Sequence, residues 1–354
     1  MASEPPVTGL VVALQANFCQ VQLDRPGPGG LERLLCVRRS RLGKTGQQVC
    51  VGDRVVLDGL DWAAQRGAIV AVEPRCSLLG RPAVANCNRV VVVAALAEPA
   101  LDPLQLTRFL LTAEATGQAV ELVLSKADLV PGETVQGWLS RLEAWGYEPL
   151  ALSLTTGEGL TEIRRRLSDP GLAVLCGPSG VGKSSLLNAL APDLALRVGR
   201  VSGKLRRGRH TTRHVELFPL AAGALLADTP GFNRPEIPAD PIRLAALFPE
   251  VVRRLAQQPC RYTNCLHQGD PGCAVGTDWD RYPTYQHCLQ ELLAAGVTAP
   301  ERRLRSSGSG LESPPLRIEP RLRQPSRRSR RQQGQDQDAA LGLSPPGPAG
   351  SGRR

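Results

Sequence analysis

The sequence predicts a multidomain chain. A small N-terminal β-barrel leads into a central α/β domain, and a mostly helical domain around a cysteine/histidine cluster ends the folded part. Three observations carry this reading. Short alternating strands crowd the first 75 residues. Apolar runs then alternate with amphipathic stretches around a phosphate-loop pattern. Three cysteines and one histidine converge in a turn-rich segment beyond residue 259. The 354 residues exceed one ordinary domain, and 42% hydrophobic content supplies real cores.

Residues 1–75 are expected to form the barrel. Candidate strands at 8–14, 18–23, 34–38, 53–57 and 67–72 are separated by Gly, Pro and polar turns. Five strands in so short a span suggest an OB-fold. The stretch Arg38-Arg39-Ser40-Arg41-Leu42-Gly43-Lys44 is a basic loop suited to single-stranded RNA. Phe18 and Trp62 are the aromatics of this region, so base stacking on it would be limited.

Residues 76–235 read as an α/β domain. Strands are expected at 90–96, 119–124, 150–154, 173–176, 215–220 and 224–227, and helices at 104–116, 134–145, 160–167 and 183–190. Continuous Val/Leu strands separated by helices indicate a mostly parallel sheet covered on both faces.

The motif Gly177-Pro178-Ser179-Gly180-Val181-Gly182-Lys183-Ser184, followed by Ser185, fits G-x-x-x-x-G-K-[ST]. It runs out of an apolar strand into a helix, as such a loop must. Its glycines let backbone N–H groups crowd a phosphate, and the helix N-terminus adds its dipole. Lys183 would bridge the β- and γ-phosphates, and Ser184 would offer a hydroxyl to Mg²⁺.

A candidate guanine reader, Ser125-Lys126-Ala127-Asp128, precedes this loop by about fifty residues. Asp128 would face guanine N1 and N2, and the Lys126 stem would pack along the purine. The segment Ser153-Leu154-Thr155-Thr156-Gly157 would bring a backbone N–H near guanine O6. In ordinary guanine-nucleotide switches the phosphate loop comes first. The inverted order predicts a circularly permuted P-loop GTPase.

Two switch segments follow. Asp228-Thr229-Pro230-Gly231 is a D-x-x-G pattern, in which Asp228 would hold Mg²⁺ through water and the Gly231 amide would sense the γ-phosphate. Thr211 or Thr212 would complete the Mg²⁺ shell, with Thr212 preferred. Residue 232 is Phe where many GTPases carry a Gln that orients water. His210 is the candidate replacement, since a neutral imidazole can orient or accept from water.

Residues 236–299 are expected to be helical around Cys260, Cys265, His267 and Cys273, spaced C-x4-C-x-H-x5-C. Three thiolates and one imidazole make a closed tetrahedral Zn²⁺ set of the structural type. His287 and Cys288 are further potential ligands, but their helix context makes them core or surface residues. Residues 300–354 are rich in Pro, Gly, Ser, Gln and Arg and are expected to be disordered. They hold twelve Arg, five acids and no Lys, so seven of the ten net positive charges sit there. Such a tail suits a polyanion such as RNA.

Lysine is rare, at four among 43 basic residues: Lys44, Lys126, Lys183 and Lys204. Two of these fall in the nucleotide motifs, where an ammonium does what a planar guanidinium cannot. The start Met1-Ala2-Ser3-Glu4-Pro5-Pro6 lacks a basic, then apolar, leader, and no run reaches membrane-span length, so a cytoplasmic protein is expected. The scattered cysteines read as reduced thiols.

Together these motifs resemble the RsgA (YjeQ) family of bacterial ribosome-assembly GTPases. The resemblance covers about residues 5–295. It rests on Ser125-Lys126-Ala127-Asp128, the 153–157 segment, the phosphate loop, Arg207-Gly208-Arg209-His210-Thr211-Thr212, Asp228-Thr229-Pro230-Gly231-Phe232 and the cysteine spacing. The linker residues 75–82 with Ala85-Asn86 are similar as well. The resemblance implies GTP hydrolysis stimulated by the small ribosomal subunit late in its maturation, with rRNA contact, one structural zinc and Mg²⁺ with GTP. A monomer is expected. It makes Lys126 and Asp128 the guanine readers, residues 177–185 the phosphate cradle and His210 the water-positioning residue. The family's base reader usually begins with Asn or Thr. Ser125 is shorter and is expected to brace the phosphate loop less well. Two other readings compete: a nucleotide-regulated RNA-binding module with negligible turnover, suggested by Phe232, and a GTP-driven metallochaperone.

Overall fold

In a computed structural model of the chain, the structure describes residues 6–15, 17–39, 42, 48–80, 83–191, 215–228, 235, 237, 240–298, 304–305 and 317–318. The chain divides into two compact units, Met1–Leu293 and Ala294–Arg354.

The first unit opens with five strands: β1 (Val7–Leu14), β2 (Phe18–Gly27), β3 (Leu31–Arg38), β4 (Arg54–Asp61) and β5 (Arg66–Val72). They pair in the order β1-β2-β3-β5-β4, and β4 closes back on β1. Only β3–β5 is parallel among these pairs. This is the expected five-stranded OB-type barrel. Alternation drives it: Val11, Cys19, Val21, Leu34, Cys36, Val55 and Ile69 point inward and are buried. Burial pushes the Cys36 thiol up to about 12, as suits a reduced core cysteine.

A two-strand link, β6 (Leu78–Leu79) with β7 (Val84–Ala85), joins the barrel to the α/β sheet. The joint is fastened at several points. Arg75 grips the fully buried Asp53 with Nε and Nη2, at 2.6 and 2.8 Å, and the Cys50 N–H adds a third bond at 2.7 Å. The Asn86 amide donates to Gly52 O at 2.9 Å. Gly52 sits at φ +88°, and a Cβ there would lie 2.1 Å from Ala85 O. Only glycine permits that approach.

The α/β domain contributes β8 (Cys87–Ala95), α1 (Pro103–Glu114), β9 (Ala119–Ser125), α2 (Gly132–Trp145), β10 (Leu150–Leu152), α3 (Leu160–Arg166), β11 (Gly171–Cys176), α4 (Lys183–Leu190), β12 (Glu216–Pro219) and β13 (Ala224–Asp228). The order across the sheet is β10-β9-β8-β11-β13-β12, parallel except for β12. β8 explains the two-sided cover. Val90, Val92 and Ala94 face the core under α1 and α2, with Phe109, Leu110 and Leu142. Val91, Val93 and Ala95 face the other core, with Ile163, Leu186 and Leu187 of α3 and α4. Each fully buried valine or leucine contributes about 1.5–3 kcal/mol. β12 also pairs with β1 at Ala13↔Glu216, so barrel and α/β strands form one eleven-stranded sheet.

Three helices follow: α5 (Pro241–Leu244), α6 (Pro249–Gln257) and α7 (Tyr282–Thr298). Their core gathers Phe248, Val251, Val275, Trp279, Tyr285 and Leu289, and takes Leu111 from α1. In this core Phe248 meets Trp279 and Tyr285 edge-on, with centroids at 5.4 and 5.5 Å.

In the second unit, β14 (Leu304–Arg305) pairs antiparallel with β15 (Arg317–Ile318). This short pair lies inside the segment expected to lack order. The rest of the 300–354 tail lies outside the described residues, as do Ser40, Arg41, Gly43 and Lys44 of the barrel's basic loop.

Candidate functional site

Strand ends build the nucleotide site. In a parallel sheet the carboxyl ends of neighbouring strands open one crevice. Here β9, β10, β11 and β13 end in Ser125, Leu152, Cys176 and Asp228, and the predicted motifs begin there.

The phosphate loop spans 177–182 between β11 and α4. Gly177 has φ +137°, and a Cβ on it would lie 2.1 Å from Val93 O. Gly180 and Gly182 take φ +83° and +94°, where side chains are strained. The Lys183 ammonium donates to Gly177 O at 2.8 Å and Pro178 O at 2.6 Å, so it lies inside the loop's curve. Burial pushes its pKa below the usual lysine value, partly opposed by Cys176 and Asp228. Ser184 and Ser185 are exposed at the start of α4. First-turn amides of a helix have no partner within it, so they are available to an anion.

The predicted base-reading residues stand beside this loop. Lys126 takes the left-handed conformation at φ +59° and turns the chain from β9 into the 3-10 turn Ala127–Leu129. That turn presents Asp128 to solvent and buries Ala127. Ser125 is buried, and its hydroxyl lies 2.6 Å from Val181 O and 3.2 Å from Ala94 O. Its single proton best serves the shorter contact. A direct bond from Ser125 to the phosphate loop therefore exists. β9 delivers this hydroxyl close enough to reach the loop carbonyl itself.

The second predicted base-reading segment follows β10. Ser153 is fully buried, and its Oγ accepts from the Thr156 N–H at 3.1 Å. Gly157 N–H donates to Ser153 O at 3.0 Å. A Cβ on Gly159 would lie 2.2 Å from Ala151 O, so this tight return needs glycine.

One element escaped the sequence reading. The Lys126 ammonium donates to the Glu98 carbonyl, and a Cβ on Gly180 would lie 3.7 Å from Pro99 Cδ. The turn after β8 thus touches both motifs. Its one sequence signal is position, just past a strand's carboxyl end.

Asp228 ends β13, and its charge reaches Lys183. His210, Thr211, Thr212, Thr229, Pro230, Gly231 and Phe232 lie outside the described residues, as does Lys204.

The cysteine cluster is assembled as predicted. Ligand atoms of Cys260, Cys265, His267 and Cys273 all lie within 4.8 Å of one another, a donor set that could hold a metal ion. His267 Nδ1 lies 3.5 Å from Cys260 Sγ and 3.6 Å from Cys273 Sγ. Backbone N–H groups point at the sulfurs: Ala274 to Cys260 at 3.3 Å and His267 to Cys265 at 3.4 Å. Such donors stabilise thiolates. Burial keeps His267 below its usual pKa, in the neutral form a metal needs. Cys288 is buried in the helical core, and His287 Nε2 lies 3.1 Å from Glu291 Oε1, so neither joins the cluster.

The chain is similar to proteins of known name. The RsgA GTPase family model matches residues 72–238. The small ribosomal subunit biogenesis GTPase RsgA of Synechococcus sp. (strain CC9311) is 54% identical over 299 residues, spanning 84% of this chain and 98% of that one. The chain belongs to the RsgA GTPase family. An RsgA of Thermosynechococcus vestitus (strain NIES-2133 / IAM M-273 / BP-1) is 49% identical over 337 residues, or 93% of this chain and 95% of that one. The crystal structure of YjeQ from Thermotoga maritima aligns with a TM-score of 0.67 at 28% identity, over 82% of this chain and 99% of that one. YloQ, titled a circularly permuted GTPase, aligns at 0.66 and 26% identity, over 83% and 97%. Membership of the RsgA GTPases makes this chain a hydrolase of GTP. The permuted motif order of this chain matches the description of YloQ as circularly permuted. Among the described residues of this RsgA GTPase, no helix is long and apolar enough to cross a membrane.

Proposed function

We propose that the protein hydrolyses GTP to GDP and phosphate in late maturation of the small ribosomal subunit, binding rRNA, with turnover raised by the subunit. The observation that carries this is the Ser125–Val181 bond, which ties a guanine-type reader to a phosphate loop across adjacent strand ends. It is supported by the names of the relatives, which are small-subunit biogenesis GTPases.

Asp128 accepts from guanine N1 and N2, and Lys126 lines the purine. The Thr156 and Gly157 amides are taken up within their own loop, so the N–H toward guanine O6 comes from Leu154 or Thr155. Amides over 177–185 cradle the phosphates. Lys183 leaves the loop carbonyls for the β- and γ-phosphates and neutralises charge as the γ-phosphoryl group departs. Ser184, Thr212 and Asp228 would hold Mg²⁺, which when bound neutralises the same oxygens. Gly231 senses the γ-phosphate, and His210 orients the attacking water. Cys260, Cys265, His267 and Cys273 would hold Zn²⁺ as a structural ion, since four protein ligands would leave no open position. The protein works as a cytoplasmic monomer.

Phosphate release measured with and without purified small subunits tests the proposal. Subunits should raise turnover, and His210→Ala should lower it while sparing GDP binding. Turnover indifferent to subunits would refute the functional reading. Equal turnover in the His210 variant would remove that residue's role.

A further inference from the structure

Among thirteen Phe, Trp and Tyr residues in the chain, Tyr262 alone is exposed among those described, at 53%. Exposure here is selective, because the same domain buries Phe248, Trp279 and Tyr285 together in its core. Tyr262 sits between Cys260 and Cys265, at the tip of the loop that the Cys/His set closes. The loop is held stiffly. Arg261 N–H donates to Gly272 O at 2.9 Å, and Cys265 N–H reaches back to Tyr262 O at 3.4 Å. Gly272, at φ +89°, approaches so closely that a Cβ on it would lie 2.9 Å from Arg261 Cβ. The Arg261 guanidinium lies 5.5 Å from the Tyr262 ring centroid. Thr263 and Asn264, also exposed, follow at once with donor and acceptor groups.

A rigid, outward aromatic ring with a planar cation beside it and hydrogen-bonding groups next to it is a platform for an unstacked base. A base inside a duplex has no free face to offer it. Elsewhere in the domain, Asp278 and Asp280 are paired with Arg254 and Arg141. We infer that Tyr262 and Arg261 stack an unpaired RNA base, making the tip of the Cys/His loop a single-strand contact of this protein. The inference rests on the reading of the partner as an RNA-containing particle, but names a residue pair and a base conformation that reading does not.

The test uses the full chain and a labelled, mixed-sequence single-stranded 12-mer RNA, followed by fluorescence anisotropy. The matched duplex and a strand with abasic sites serve as comparators. The wild type should prefer the base-bearing single strand to both. Tyr262→Ala should weaken that binding about tenfold, and Arg261→Ala by less. Tyr262→Trp should retain it. Zinc content should stay unchanged, and so should the salt dependence for Tyr262→Ala, because no phosphate contact is lost. Wild-type affinity in the Tyr262→Ala protein, or equal binding of base-bearing and abasic strands by the wild type, would overturn the inference. Co-sedimentation with small subunits separates the two levels. If subunits bind and Tyr262→Ala changes neither subunit nor RNA binding, the functional reading stands and this one falls. If Tyr262→Ala loses subunits yet binds the 12-mer normally, the ring meets a protein and the inference also falls. If the 12-mer effect appears and subunits never bind, the stacking site stands and the functional reading fails.

Discussion

Ser125 shows how much one buried hydroxyl can hold. It spans from the base-reading strand to the phosphate loop, 56 positions away in sequence. Ser125→Ala would remove the bond and leave the Val181 carbonyl without its donor. An unmet buried polar group costs about 1–3 kcal/mol. Part of that cost should surface as a looser phosphate loop. GDP and GTP affinity should therefore both fall, by about 5- to 30-fold, with guanine preference unchanged because Asp128 is untouched. Titration with fluorescent GDP and with ADP as competitor reads both quantities. Unchanged GDP affinity would show that the loop keeps its shape without the brace.

Elements show where sequence is informative and where it is silent. β8 was legible because valine in both registers means burial on both faces. The phosphate loop was legible because its glycines stand at positive φ or against a carbonyl. The Cys/His set was legible from spacing alone. The seam between the α/β domain and the helical domain was not legible, because it joins residues more than a hundred positions apart with no local pattern. There Arg281 is fully buried, paired with Glu250 through Nε at 2.6 Å and through Nη2. Its Nη1 makes no hydrogen bond, and the guanidinium lies 4.5 Å from the Trp145 ring centroid and 4.7 Å from that of Phe248. Such a buried ion pair contributes little net stability, because desolvation offsets its attraction. Arg281→Met should cost about 3–5 kcal/mol because Glu250 stays buried and unpaired, while Arg281→Met with Glu250→Met should be close to neutral. Denaturant unfolding of both variants checks this, and a double variant as unstable as the single one would contradict it.

The rim of that seam titrates. Arg141 holds Asp280 through two bonds, at 2.6 and 2.9 Å, and Trp145 Nε1 donates to it at 2.7 Å. The Arg141 hydrogen bond, against the opposing effect of burial and with help from Trp145, holds its carboxyl below the usual aspartate value. A depressed folded pKa stabilises above the unfolded value near 3.9. That contribution is lost as pH falls from about 4 through the folded value. The unfolding midpoint should therefore drop on the acid side, and Asp280→Asn should flatten that slope. Identical acid profiles would place the sensitivity in other carboxylates.

At the scale of the whole molecule, the helical domain is fastened to the side of the GTPase that carries the candidate base reader. Arg253 donates to Ala144 O at 2.6 Å, Arg141 pairs with Asp280, Arg108 pairs with Glu291, and Leu111 enters the helical core. Two of these contacts come from α2 and two from α1, and α2 is the segment that joins the Asp128 turn to β10 and its 153–157 loop. The domain bearing the Cys/His loop is therefore anchored between the 125–128 turn and the 153–157 loop. The barrel is held at the other end by Asp53–Arg75 and by the β1–β12 pairing. A partner that binds both end domains would then act on the nucleotide crevice from two sides. Coupling of this kind is reciprocal. If small subunits bind the GTP-analogue form more tightly than the GDP form by some factor, they must raise analogue affinity over GDP by that same factor. The factor should fall within the usual range of about 5- to 150-fold. Arg141→Ala should shrink it while leaving GDP affinity without subunits unchanged. Co-sedimentation in both nucleotide states, paired with nucleotide titrations with and without subunits, measures both sides of the cycle. A factor unaltered in Arg141→Ala would mean that the seam only holds the domain in place, and that the signal runs through the segment following Asp228.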